Sequence, residues 1–141
     1  LGRIALSVSA RERVGYAKDI RAAALRALEL NPAHPGALHV MGMWNAEVMR
    51  LNGVTRMLAK NFLGGQVFGT ASWAEAQRYL EEAVRVDPEH ITHRLDLGLV
   101  YRDMGQRSKA REMLESVLRG KELEPNDPRY KREAAAALKK L

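Results

Sequence analysis

The sequence contains no cysteine among its 141 residues. Disulfides, thiol catalysis and cysteine metal sites are therefore excluded, and the redox compartment stays open. No apolar run approaches the roughly 20 residues that a membrane-spanning helix needs. Aromatic residues make up only 6% of the chain. With so few stacking platforms for bases, and with acids alternating among the basic residues, we do not expect a nucleic-acid-binding protein.

Recognisable catalytic motifs are also missing. The sequence has no glycine-rich phosphate loop after a strand, and no serine, histidine and aspartate set with a nucleophile elbow. We therefore expect neither an enzyme nor a bound cofactor, and we assign no catalytic residue.

The composition is that of one folded domain. Apolar residues make up 46% and charged residues 28%, and 23 basic residues against 17 acidic ones give a net charge of +6. The excess predicts a mild preference for acidic partners, whereas the compartment is undetermined, with the cytoplasm slightly favoured.

One sequence unit occurs twice. The unit ends a helix, turns at a proline and carries a glycine at a fixed distance after that proline. Its two copies are ALELNPAHPGALHVMG (27–42) and AVRVDPEHITHRLDLG (83–98). KELEPNDP repeats the end of the unit. The prolines that mark the three copies are Pro32, Pro88 and Pro125. This self-similarity indicates a helical-repeat protein.

The last unit matches the pattern of small and large residues that is typical of a tetratricopeptide repeat, a two-helix unit of about 34 residues. Gly42 and Ala76 of the middle unit are much farther apart in sequence than Gly98 and Ala110 of the last unit, and the segment 51–72 accounts for the excess. We predict an all-α tetratricopeptide-repeat right-handed superhelix with an inserted helix within 51–72 and a C-terminal capping helix.

This prediction divides the single domain into a partial repeat (1–34), a second repeat with the insertion (35–90), a third repeat (91–124) and the capping helix (127–141). Helices are expected at about 10–30, 36–50, 54–63, 73–86, 91–104, 107–119 and 128–140. Ser9 with Glu12 and Ser72 with Glu75 form capping boxes that predict two of the helix starts. Asp127 is expected to cap the helix that begins at Pro128.

A family resemblance becomes visible in ALHVMGMWNAEV, the insertion and EAQRYLEEAVRVDP. The chain resembles the regulator of microtubule dynamics family, although GGQVFGTAS lacks the family's usual Pro-Pro pair. The matching residues are Leu38, His39, Gly42, Trp44, Phe62, Phe68 and Gly69. The resemblance implies a non-catalytic helical-repeat module, association with microtubules or organelle contact sites in animal members, and a phospholipid held by the repeats.

The first helix of each repeat is expected to line a concave groove. We predict a partner-binding surface there for a protein or peptide segment. Its residues are His39, Met43, Glu47, Arg50, Thr92, Leu95, Leu99, Arg102 and Asp103.

In the insertion, apolar residues recur at helical spacing, so we expect a buried stripe. One hypothesis is that this helix folds over the groove against Met43 or Trp44 and acts as a lid. The other is that it only fills a gap between imperfect repeats. The candidate lid residues are Val54, Leu58, Phe62 and Phe68, with Met57 on the same stripe.

Three functions remain open: a partner-binding scaffold, a carrier of an apolar ligand or phospholipid, and a structural segment of a larger helical array with an exposed apolar patch on its first helix. No metal site is predicted. His90, His93 and Asp96 recur at every third position, but the helix turns by about 600° from His90 to Asp96, which takes the carboxylate away from the first histidine.

Overall fold

The computed structural model describes the backbone of residues 2–141 and the side chains from residue 9 onward. All of its regular secondary structure over that range is helical. The α-helices are α1 (Gly2–Leu30), α2 (Pro35–Arg50), α3 (Gly53–Phe62), α4 (Trp73–Val86), α5 (Ile91–Asp103), α6 (Arg107–Arg119) and α7 (Asp127–Lys139), and a 3-10 turn (Gln66–Thr70) follows α3. The all-α prediction is confirmed, and from α2 onward every helix begins and ends at or beside its expected position.

Two helix pairs, α2 with α4 and α5 with α6, form the framework of the stack. A Cβ atom on Gly42 would lie 2.5 Å from Leu80 Cγ, and one on Gly98 would lie 2.8 Å from Leu114 Cγ. Both distances are far below van der Waals contact, so only glycine allows each pair to approach this closely.

The core along the pairs consists of separate clusters of buried residues. One cluster of buried residues lies between α2, α4, α5 and α6, and includes Ala46, Ala76, Leu80, Leu97, Val100 and Ala110. A second cluster joins α5 and α6 to α7, and includes Ile91, Leu95, Leu114, Val117, Ala134 and Ala137. The last helix therefore covers the end of the stack, as a capping helix does.

The first helix corrects one prediction. Ser9 lies inside α1, which runs without a break from Gly2 to Leu30, so the predicted helix start at Ser9 is wrong. A serine starts a helix only where the preceding chain leaves the helical conformation, and no glycine or proline stands between Gly2 and Gly15 to cause that. The predicted helix start at Ser72 is confirmed, because the Ser72 hydroxyl accepts a hydrogen bond from the Glu75 amide at 3.0 Å. The reciprocal half of the capping box does not form, since the Ser72 amide donates to Asn45 Oδ1 instead of to Glu75.

Asp127 corrects a second prediction. It is the first residue of α7, with Asn126 in the cap position. The Asp127 Oδ2 atom accepts hydrogen bonds from the backbone amides of Leu123, at 2.7 Å, and Glu124, at 2.9 Å. Its buried carboxylate therefore holds the preceding turn rather than capping its own helix.

None of the helices within residues 2–141 combines the length and the apolar character required to cross a bilayer.

Candidate functional site

Four charged side chains join α2 to α5 and form what we call the charged strip: Glu47, Arg50, Arg102 and Asp103. Arg50 donates to Glu47 Oε1 at 2.7 Å and to Asp103 Oδ2 at 2.8 Å. Arg102 donates to the other Asp103 oxygen at 3.1 and 3.0 Å. Burial works to lower the pKa of Arg50, but its hydrogen bonds to Asp103 and Glu47 outweigh burial and raise it. The guanidinium is therefore a fixed positive centre between two repeats.

The prediction grouped these four residues on one surface and did not include their pairing. Glu47 and Asp103 are separated in sequence by the same offset as Gly42 and Gly98. Each repeat thus contributes an equivalent acid, and the single Arg50 binds both. That offset was the signal that could have revealed the pairing.

A histidine joins the same two helices nearer their N-terminal ends. His39 Nε2 lies 2.6 Å from Asp96 Oδ2, and the His39 ring meets the His93 ring edge-on, with 4.9 Å between the centroids. Between this contact and the charged strip, Met43 and Leu99 occupy equivalent positions and are both half-buried, as is Thr92.

Leu95 is the one predicted groove residue that cannot meet a partner. It is 1% exposed and packs in the cluster with Ile91, Leu114 and Ala134. Because α7 packs on α5, this position belongs to the core. The expectation that Leu95 lines a groove is corrected.

The insertion packs on α1 and on Trp44. The Trp44 indole donates to the Ala17 carbonyl at 2.9 Å, and Phe68 meets its ring edge-on at 5.7 Å. Val14, Val48 and Ala59 complete this buried cluster. The guanidinium of Arg21 lies 5.3 Å from the Trp44 ring centre. Of the candidate lid residues, Phe68 is therefore the anchor of the insertion.

The apolar stripe of α3 is exposed, and the expectation that it is buried is wrong. Its members are Val54 (65% exposed), Met57 (50%), Leu58 (44%) and Phe62 (65%). Only Ala59 of α3 is buried, and the Lys60 side chain lies against Gly69 of the 3-10 turn. The helix thus attaches by its small and basic side, and we call the other side the exposed stripe.

A cleft of about 360 Å³ opens beside the exposed stripe. It combines apolar side chains of α2, α3 and the 3-10 turn with two basic side chains. Its lining includes Met49, Met57, Phe68, Arg56 and Lys60. Arg56 also donates to the Met49 carbonyl at 3.4 Å, which ties the start of α3 to the end of α2.

Apolar side chains are also exposed on the first helix. Tyr16 is 65% exposed and Ile20 is 52% exposed, and their i, i+4 spacing places them on one face of α1. A structural segment of a larger array would present such a patch.

Asp87, His90 and His93 lie together at the turn between α4 and α5, with one ligand-type atom from each within 4.8 Å of the others. The hydrogen bond that His90 donates to the Asp87 carboxylate raises the pKa of His90, whereas burial lowers the pKa of His93. The sequence grouped the two histidines with Asp96, which binds His39 instead, and missed Asp87. The sequence contains a signal for this contact, because the proline turn brings Asp87, which lies just before α5, back to the first turn of α5.

The comparison with protein families confirms the resemblance that the sequence shows. The family model described as Regulator of microtubule dynamics protein 1-3 matches residues 1–141. No curated protein matches the chain.

Proposed function

The chain belongs to the regulator of microtubule dynamics protein 1-3 family, and on this premise we propose that it is a non-enzymatic module that binds a segment of a partner protein along its concave face. The observation that carries the proposal is the charged strip, which spans two repeats beside the half-buried pair Met43 and Leu99.

The apolar pair would supply the contact area. Met43 and Leu99 retain exposed surface although the positions beside them, Gly42 and Gly98, are closed by Leu80 and Leu114. An apolar side chain of a partner segment would bury that remaining surface. Methionine also adapts its shape to different partners, which suits an interaction surface.

The charged strip would set the orientation of the partner. Glu47 and Arg102 stand at its two ends and are exposed, while Arg50 and Asp103 are held between them. A partner with a basic group near Glu47 and an acidic group near Arg102 is complementary in only one direction. Such charges contribute to specificity and association rate more than to affinity.

The test is quantitative capture of partners on the immobilised chain. The variant Glu47→Arg with Arg102→Glu exchanges the two charges, and the variant Arg111→Glu with Glu115→Arg makes the same exchange on the exposed surface of α6. We expect the α6 variant to keep the partners of the native chain and the strip variant to lose them. Capture that survives the exchange in the strip would overturn the proposal.

A second candidate function, binding of a phospholipid with α3 as a lid, is favoured by the exposed stripe and its cleft. Arg56 and Lys60 suit a phosphate, and Met49, Met57 and Phe68 suit an acyl chain. The rest of the exposed stripe would then cover the ligand rather than face water. This candidate rests on residues separate from the charged strip.

Mass spectrometry of an organic extract of the purified chain tests the second candidate. A co-purified phospholipid, lost in the variant Leu58→Ser with Phe62→Ser, is the expected result. Leu123→Ser is the control, because Leu123 is similarly exposed, at 47%, but lies in the turn before α7. The second candidate function is contradicted if the extract contains no phospholipid, or if all variants retain the phospholipid.

A further inference from the structure

Two turns of the molecule are equivalent, and two of the differences between them introduce metal-ligand side chains. The turn before α2 carries Asn31, His34 and Ala37. The turn before α5 carries Asp87, His90 and His93, each at the offset that separates Gly42 from Gly98. In the first turn the His34 Nδ1 atom accepts a hydrogen bond from the Ala37 amide at 3.0 Å and so caps α2. The histidine there has an ordinary structural role.

In the second turn the equivalent histidine does not cap its helix. Instead, His90 Nδ1 faces the Asp87 carboxylate, at 2.8 Å from Oδ1 and 2.7 Å from Oδ2. His93, which replaces Ala37, places its Nε2 atom 3.4 Å from the same Oδ2 atom. The two exchanges, Asn to Asp and Ala to His, thus bring three metal-ligand side chains together.

His93 is the buried member and is incompletely hydrogen-bonded. It is 6% exposed, and its Nδ1 atom has no hydrogen-bond partner. A neutral imidazole has one donor and one acceptor. If Nδ1 carries the proton, the Nε2 lone pair faces a carboxylate oxygen, and a cation bound between Nε2 and Asp87 Oδ2 would remove that repulsion, while Nδ1 stays unpaired.

We propose that Asp87, His90 and His93 bind a divalent transition-metal ion of the Zn²⁺ type, with one coordination position left for water. Bonds of about 2.0 to 2.2 Å in a tetrahedral site put neighbouring ligand atoms roughly 3.3 Å apart. The 3.4 Å separation of Asp87 and His93 already has that length. The Asp87 and His90 contact must open by about 0.6 Å to reach the same spacing.

A carboxylate lies behind His90, in the place where such sites have an outer hydrogen-bond acceptor. When a metal takes Nδ1 of His90, the Nε2 atom carries the proton, and Glu124 Oε1 lies 3.3 Å from it. A carboxylate behind a ligating histidine orients the ring and raises its basicity. The amide of Glu124 is in turn held by the buried carboxylate of Asp127.

The ion would add a bridge between elements that already pack together through the core. Asp87 ends α4, the histidines begin α5, and Glu124 lies in the turn between α6 and α7. The charged strip and the exposed stripe do not include any of these residues, so this site is additional to the proposed function. A bound ion would strengthen the junction of the last repeat with the capping helix.

The experiment is a titration of the tag-free chain, freed of metal by a chelator, with Co²⁺ and then Zn²⁺. We expect one equivalent of Co²⁺ to give the visible d–d absorption of a four-coordinate ion and Zn²⁺ to displace it. Asp87→Asn and His93→Ala introduce the residues of the equivalent turn, and both should abolish stoichiometric binding. Glu124→Gln should weaken binding by about tenfold to a hundredfold.

His34→Ala is the matched control, because it removes the equivalent histidine and leaves the cluster intact. Far-ultraviolet circular dichroism of each variant verifies that it is folded. The proposal is overturned if the native chain binds no stoichiometric Co²⁺, if the variant with both Asp87→Asn and His93→Ala still binds it, or if His34→Ala loses binding equally.

Discussion

The middle and last repeats of this chain share a framework and differ in what is attached to it. In both, a glycine on the first helix meets a buried leucine on the second, Gly42 with Leu80 and Gly98 with Leu114. In the last repeat only the short segment 104–106 joins the two helices, whereas in the middle repeat the whole segment 51–72 lies between α2 and α4. The comparison teaches that a few close contacts determine the pairing and leave the connection free to change.

The most sensitive test of this division uses the only two phenylalanines of the chain. Phe68 is buried against Trp44, whereas Phe62 belongs to the exposed stripe. We expect Phe68→Ala to lower the free energy of unfolding by about 3 to 5 kcal/mol. Phe62→Ala should change it by less than about 0.5 kcal/mol. Denaturant unfolding measures both, and equal effects would mean that the stripe is packed.

The next comparison concerns the leucines that face the two glycines. Leu80 and Leu114 are both 0% exposed, so Leu80→Ala and Leu114→Ala should each cost about 2 to 5 kcal/mol of stability, measured by denaturant unfolding. Leu118→Ala is the control and should cost far less, because Leu118 lies on the same helix as Leu114 but is 40% exposed. A small loss at only one of the two buried sites would break the equivalence of the repeats.

The glycines give a test whose sign is decisive. Helix propensity alone predicts that Gly42→Ala and Gly98→Ala stabilise the chain by about 1 kcal/mol each. The close contacts with Leu80 and Leu114 predict a net loss, since overpacking costs about 1 to 3 kcal/mol. Gly42→Ala should lose more stability than Gly98→Ala, because a Cβ atom at Gly42 would lie 2.5 Å from its nearest neighbour, against 2.8 Å at Gly98. Thermal unfolding of both variants distinguishes a gain from a loss.

The smallest effect is expected in the charged strip. A double-mutant cycle with Arg50→Gln, which introduces the residue of the equivalent position Gln106, and Asp103→Asn should give a coupling of about 0.2 to 1 kcal/mol. The exposed pair of Arg26 and Glu29 is the control and should couple less. Coupling no greater than in the control would show that the strip does not bind the two repeats together.

Much of the framework follows from sequence because it depends on local signals. Proline turns, Ser72 and the glycine spacing specify where the helices lie, and each has a short-range physical cause. Ser9 and Asp127 were misread since the same residue types also serve inside a helix or across a turn. Which use applies depends on the flanking chain.

The sites were harder to predict because they depend on contacts between distant residues. The exposed stripe has the periodicity of a buried helix face, and only the position of Ala59 against Trp44 shows which side is inward. Leu95 has the helical position of a groove residue, yet α7 covers it. Asp87 lies near the histidines because the turn between α4 and α5 folds it back toward them. Residue spacing along one helix does not predict such a contact.

Replacing residues 48–72 by Met-Gly-Gln, the connection at 104–106, tests the shared framework most directly. Trp44→Val, the residue found at the equivalent Val100, accompanies the replacement so that no indole is uncovered. We predict that the shortened chain keeps its helical circular dichroism and unfolds in one cooperative transition, at a lower temperature because the cluster around Phe68 is lost. A chain without a cooperative transition would contradict the claim that α3 and the 3-10 turn are attached to a repeat that is complete without them.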